Sequence, residues 1–281
     1  MPKGLGVWFV TGAARGLGYA IASEVLRRGG SVVATAREPN ALRATFSNFH
    51  DEQQRLLTIP LDLLSTTSVD EAIHSAIARF GRIDKLVNNA GYGLLGAIEE
   101  ADEQETEAVF RVNVFGTLRM TRAALPHLRN VSGHVVNISS LGGFAASAGW
   151  GIYNATKFAV EGLSEALALE AGPLGVKVTI VEPGSFRTDF LSGNSMKRTR
   201  NIIDDYATTV GKTREVAQSR AGQQIGDPVL GAKVIVDAVC SDAPPLRLVL
   251  GADAIQRIEG KLAQVRNELD AWRAASTRTS F

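Results

Sequence analysis

Short runs of β-branched and aliphatic residues alternate with longer amphipathic stretches through the first two thirds of this chain, and that rhythm constrains the fold more than any other feature. Val7-Trp8-Phe9-Val10 is followed by Gly18 to Arg28, Val32 to Thr35 by Pro39 to Phe49, and Leu56 to Leu61 by Ser68 to Phe80. Lys85 to Asn88 then precedes Asp102 to Leu118, His134 to Ile138 precedes Tyr153 to Glu170, and Val176 to Val181 closes the series. Repeated alternation of strand and helix requires right-handed crossovers and gives a parallel sheet with helices on both faces. The strand runs are apolar throughout, as expected for strands buried on both sides. The expected fold class is α/β, a doubly wound parallel sheet in a single domain over residues 1–281.

After Val181 the rhythm lapses. Residues 185–227 are polar and without a strong period, which reads as a lid segment over a site. Pro228 to Val239 then reads as a helix, Leu246 to Leu250 as a last strand, and Asp253 to Ala275 as an amphipathic terminal helix. With 30 Lys and Arg against 29 Asp and Glu, and 45% hydrophobic residues, the composition excludes a disordered chain and argues against a nucleic-acid partner. The apolar stretches are far too short to cross a bilayer, so no membrane insertion is expected. One cysteine, Cys240, and four scattered histidines give neither a disulfide nor metal-ligand spacing. The expectation is a cytoplasmic protein without metal.

The first strand runs into Thr11-Gly12-Ala13-Ala14-Arg15-Gly16-Leu17-Gly18, where a helix begins. Glycines there let the backbone approach a pyrophosphate, and the free N–H groups of the helix start favour its charge. Thr11, Gly12, Ala14, Arg15, Gly16, Leu17 and Gly18 are therefore candidate dinucleotide contacts. Gly211-Lys212-Thr213 superficially suggests a triphosphate loop, but Tyr206 stands where its first glycine belongs. At the end of the second strand, Thr35-Ala36-Arg37 lacks the carboxylate that would accept a ribose 2′-hydroxyl, while Arg37 and Arg15 can flank a 2′-phosphate. NADP(H) is expected in preference to NAD(H). Asp62, with Leu63 beside it, closes the third strand and either bonds the adenine amine or only caps the following segment.

Tyr153 and Lys157 stand one helical turn apart, so both side chains share a face. A neighbouring ammonium favours a phenolate and is expected to lower the tyrosine pKa. Thirteen residues before Tyr153 a strand ends in Ser139-Ser140, another ends in Asn88-Asn89-Ala90-Gly91, Asn113 interrupts a helical run, and Glu182-Pro183-Gly184-Ser185-Phe186-Arg187-Thr188 follows the sixth strand. All these groups fall at one edge of the expected sheet.

Taken in order, T-G-x-x-x-G-x-G, N-N-A-G, the mid-helix Asn, the Ser, Y-x-x-x-K and P-G resemble the short-chain dehydrogenase/reductase family over about residues 5 to 190. The phrases Ala34 to Arg37, Asn89 to Gly93 and Pro183 to Phe190 look most like its branch similar to 17β-hydroxysteroid and retinol dehydrogenases. The resemblance implies a Rossmann-type fold and an alcohol dehydrogenase or carbonyl reductase. It implies Tyr153 as general acid/base, Lys157 as the group that lowers its pKa and holds the nicotinamide ribose, Ser140 polarising the substrate oxygen, and Asn113 holding a water that serves Lys157. Asn89, Ala90 and Gly91 would line the cofactor, as would Pro183, Gly184 and Phe186, with Thr188 at the carboxamide. It also implies pairing of helices 102–120 and 153–174 into a homodimer or homotetramer.

Leu94, Leu95, Phe144, Trp150, Phe186, Phe190 and Leu191 fall in the loops after strands four to six and suit a bulky apolar alcohol or carbonyl substrate. A dinucleotide-binding sensor or scaffold without turnover is the competing expectation.

Overall fold

The computed structural model describes residues 5–50, 52–191 and 195–279. In chain order the elements are β1 (Val7–Val10), α1 (Gly16–Arg27), β2 (Ser31–Ala36), α2 (Pro39–Thr45), β3 (Leu56–Pro60), α3 (Thr66–Phe80), β4 (Lys85–Asn88) and β5 (Gly93–Leu95). There follow α4 (Glu103–Phe110), α5 (Thr117–Arg129), β6 (His134–Ile138), α6 (Gly151–Ala171), β7 (Lys177–Pro183), β8 (Met196–Arg198), α7 (Lys212–Ser219), α8 (Pro228–Cys240), β9 (Arg247–Leu250) and α9 (Ala252–Ser276).

Seven strands form one sheet in the order β3-β2-β1-β4-β6-β7-β9, and every pairing is parallel. The chain winds outward from β1 to β3, then returns to place β4 on the other side of β1, so the order reverses between β1 and β4. Such a switch point leaves a crevice beyond the strand ends. The carboxyl ends of β1, β4, β6 and β7 all open onto it.

Alternation along each strand explains why the runs are apolar throughout. Trp8, Val10, Val32, Ala34, Val136 and Val181 face a core with Ile21, Val25 and Leu26 of α1 and Ile235, Val236 and Val239 of α8. Val7, Phe9, Val33, Leu86, Val135 and Val178 face the opposite core, with Val69 and Ile73 of α3 and Met120, Ala124 and Leu128 of α5. Polar residues punctuate the helices: Ser65 caps α3 by accepting from Ser68 N, Gly81 ends it at φ 74°, and Asp102 and Glu105 form a reciprocal capping box on α4.

Three expectations need correction. The run from Asp102 to Leu118 is two helices joined by a π-helical stretch, Arg111–Gly116, which widens the backbone around Asn113. The segment 185–227 is partly ordered into secondary structure: β8 pairs with β5 in a separate two-stranded sheet, and α7 follows a π-turn; its residues 192–194 lie outside the described residues. The catalytic-region helix starts at Gly151, two residues before Tyr153.

Leu86, fully buried on β4 at the centre of the sheet, tests this packing. Leu86→Ala is expected to lower unfolding free energy by about 2–5 kcal/mol, read as a lower urea midpoint.

Candidate active site

The crevice is a cleft of about 1180 Å³ running from the glycine turn across the ends of β4, β6 and β7. Gly12 and Gly16 hold φ values of 67° and 58°, a left-handed conformation that other residues adopt only under strain. A Cβ at Gly12 would sit 3.0 Å from Ala90 Cα, so the turn lies directly against the end of β4. Thr11 and Asn89 clamp the two together. The Thr11 hydroxyl accepts from Asn89 N and Ala90 N, both at 3.0 Å, and the Asn89 amide donates to Thr11 O at 2.9 Å and Gly12 O at 3.0 Å. Thr11, Gly12, Ala14, Arg15, Gly16 and Leu17 line the cleft. Gly18 does not; its missing Cβ would lie 2.3 Å from Asn89 Nδ2, so it serves close packing of α1 on this clamp.

Arg15 and Arg37 are both exposed on the cleft rim, and the structure adds Glu38, which sequence reasoning missed. Asp62 and Leu63 line the wall beyond β3, and Asp62 Oδ1 accepts from Leu64 N at 2.9 Å within the turn that leads to α3, whose cap is Ser65.

On the opposite wall, α6 presents Tyr153 and Lys157, both buried. Lys157 Nζ donates to Ile138 O at 2.8 Å, which anchors it to the end of β6, and lies 5.8 Å from the Tyr153 ring centre. Ser140 follows β6 and accepts from Gly142 N at 3.1 Å. Burial pushes the Tyr153 phenol up to about 12, opposed by a hydrogen bond with Ser140. Burial likewise lowers Lys157 to about 8, opposed by the charge of Glu161. The Tyr153 shift thus runs opposite to the depression expected of a neighbouring ammonium, with burial its largest cause and the Ser140 hydrogen bond opposing it.

Asn113 lies behind the cleft wall. Its Nδ2 donates to Tyr92 O at 2.9 Å and Thr156 Oγ1 at 3.1 Å, and its Oδ1 accepts from Tyr92 N at 3.0 Å. The side chain holds the strand-end loop against α6. Gly91 lets the two approach: a Cβ there would lie 3.0 Å from Asn113 Oδ1. Asn89, Ala90, Gly91, Pro183, Gly184, Phe186 and Thr188 all line the cleft.

Trp150, Tyr153 and Phe190 form an aromatic cluster with ring centres 5.6–6.3 Å apart, and Leu191 lies along the same wall. Leu94, Leu95 and Phe144 do not line the cleft. Leu94 and Leu95 are buried because β5 pairs with β8, which turns them into packing.

Comparison with known proteins identifies the family to which this fold belongs. The short chain dehydrogenase family model matches residues 6–199. The chain belongs to that family. It is 38% identical over 272 residues to oxidoreductase BOA17 of Botryotinia fuckeliana, covering 96% of this chain and 97% of the relative. It is 34% identical over 243 residues to a 3-ketodihydrosphingosine reductase of Bacteroides thetaiotaomicron, covering 86% of each. A crystal structure of a short-chain dehydrogenase from Streptomyces avermitilis superposes with a TM-score of 0.89 at 42% identity, covering 98% of this chain and 99% of that one. A short-chain dehydrogenase from Burkholderia cenocepacia, solved in complex with NADP, superposes with a TM-score of 0.71 at 26% identity over 94% and 95%.

Behind this family's cleft lies a group of charges that sequence reasoning missed. Glu161, one turn beyond Lys157, and Glu182, at the end of β7, are buried with carboxylates 3.3 and 3.5 Å from Arg247 Nε of β9. Arg247 Nη2 also bonds Glu165 at 2.7 Å. Burial and then the charge of Glu161 raise Glu182 to about 7, against the pull of Arg247; burial also raises Glu161. The signal available in sequence is the spacing Tyr153, Lys157, Glu161, three polar residues on one face of a helix.

The sign of the pH effect follows. A carboxyl raised in the folded state contributes stability that is full below its unfolded pKa and lost as pH rises through the folded one. Wild type is therefore expected to lose stability relative to Glu182→Gln as pH rises from about 4.5 to about 7, read by urea unfolding across that window. Parallel pH curves for the two proteins would show that Glu182 ionises freely.

Proposed function

We propose that this oxidoreductase uses NADP(H) to interconvert a secondary alcohol and a ketone, or a primary alcohol and an aldehyde, on an apolar substrate. The observation that carries the reading is the buried Tyr153–Lys157 pair beside Ser140, facing a left-handed glycine turn across one cleft. The residues present fit a dinucleotide: Gly12 and Gly16 shape a turn at the uncapped start of α1, and Arg15 and Arg37 stand at the rim beside the carboxylates Glu38 and Asp62.

A bound nicotinamide supplies or takes the hydride. In the reductive direction Ser140 donates a hydrogen bond to the carbonyl oxygen, and Tyr153 gives that oxygen its proton. A phenol near 12 is protonated at neutral pH, the form reduction requires. Lys157 as an ammonium stabilises the phenolate left behind and holds the ribose. Trp150, Phe190 and Leu191 offer the substrate an apolar wall. A relative that reduces 3-ketodihydrosphingosine supports a ketone on an apolar chain. Phe115, Phe158, Leu163 and Leu169, exposed on the helical faces around α5 and α6, suit the homodimer or homotetramer implied by the family resemblance.

Tyr153→Phe is expected to cut turnover of hydrophobic ketones and aldehydes by roughly 10²–10⁴-fold, followed as NADPH absorbance, with NADPH binding retained. Tight NADPH binding with no turnover by wild type on any such substrate would favour a sensor instead. Arg37→Glu is expected to raise the KM for NADPH by roughly ten- to a hundred-fold, the loss of a charge-assisted hydrogen bond, with little change for NADH. Faster wild-type turnover with NADH would overturn the cofactor assignment.

A further inference from the structure

From Leu262 to Ser276 every residue of α9 is exposed, so about four turns of helix stand clear of the body. An unpacked helix of this length is marginal in water. This one carries Ile255, Ile258, Leu262, Val265, Leu269 and Trp272 at alternating intervals of three and four residues, the 3.5-residue period of a coiled-coil seam. Ile258 is buried and roots the stripe on the body, whereas Leu262, Leu269 and Trp272 are 53%, 59% and 69% exposed.

The residues flanking the stripe are charged in an order that selects one partner orientation. One side carries Glu259, Arg266 and Arg273, the other Lys261 and Glu268. We infer that α9 pairs with α9 of a second copy of this chain in an antiparallel coiled coil. About a two-fold axis between Ala263 and Gln264, Leu262 faces the partner's Val265, and Trp272 reaches the partner's Ile255, exposed at the root of the partner helix, with Leu269 between these two contacts. Glu259 then meets the partner's Arg266, and Lys261 meets the partner's Glu268, each twice by symmetry. A parallel pair would instead set Lys261 against the partner's Arg266 and keep only Glu268 with the partner's Arg273 as an attractive contact. Arg266 and Arg273 also bond Asp270 within the helix at 3.0 and 2.6 Å, and Asp270 lies outside the stripe.

The test is the mass of the full chain by light scattering and sedimentation. Leu269→Glu/Trp272→Glu changes only exposed side chains and is expected to halve the mass, from two copies to one or from four to two if the α5 and α6 faces also pair, with a loss of far-UV helical signal no larger than the four turns left unpaired and the urea midpoint of the body unchanged. Lys261→Glu is expected to weaken association at least about threefold by opposing like charges, and Lys261→Glu/Glu268→Lys to restore it. A mass unaffected by the apolar substitutions would overturn the interface, and tighter association of Lys261→Glu would overturn its antiparallel orientation.

Discussion

A parallel strand covered by helices on both faces admits a polar side chain away from its ends only where a partner is built for it. That restriction concentrates the chemistry of this protein along one edge of the sheet. Thr11, Asn89, Ser140 and Glu182 each sit at or just beyond the carboxyl end of a strand, where the backbone leaves the apolar layers. The few polar groups farther in are bonded to one another: Asn88 donates to Asn137 at 2.8 Å and to Thr121, and Asn137 donates to Ser164 at 2.7 Å. These bonds join β4, β6 and α6 beneath the cleft, and so help fix the wall that carries Tyr153.

The same edge explains the electrostatics. Lys157 is held by one carbonyl, Ile138 O, and its ammonium is exposed to the field of Glu161 one turn farther along α6. Glu161 in turn shares Arg247 with Glu182, so the ionisation of the cleft and of the charges behind it are linked through a single helix face. Burial of the Tyr153 side chain raises its phenol, and the hydrogen bond with Ser140 opposes that shift.

Features with a local rule behind them were legible in the sequence: six apolar runs and the glycine turn follow from backbone requirements, and the Tyr-Lys spacing from the need to share one helix face. Short or tertiary features were not. Gly93–Leu95 is too brief to show a period, so Leu94 and Leu95 read as cleft residues although pairing with Met196–Arg198 buries them. Asn113 is visible as a polar break in a helix, but the π-helical stretch that aims it at Tyr92 is not. Glu182 reads as part of a turn before Pro183, and its coupling to Glu161 depends on β7 lying beside α6 and β9. The heptad stripe of α9 is plain in the sequence, yet only the folded body shows where cover ends.

The pairing of α1 with α8 has a consequence for synthesis. Ile21, Val25 and Leu26 pack on Ile235, Val236 and Val239, and Arg28 bonds Asp237 at 2.5 Å, although the two helices lie some two hundred positions apart in the chain. The first four sheet strands to emerge, β1 to β4, can assemble once about 90 residues are available, but their α8 cover arrives only about 140 residues later. At roughly 5–20 residues per second the nascent half-sheet presents bare apolar surface for about 7–28 s. For that interval the face of the half-sheet that α8 completes lacks that helix, so the order of translation exposes apolar surface that the finished fold hides.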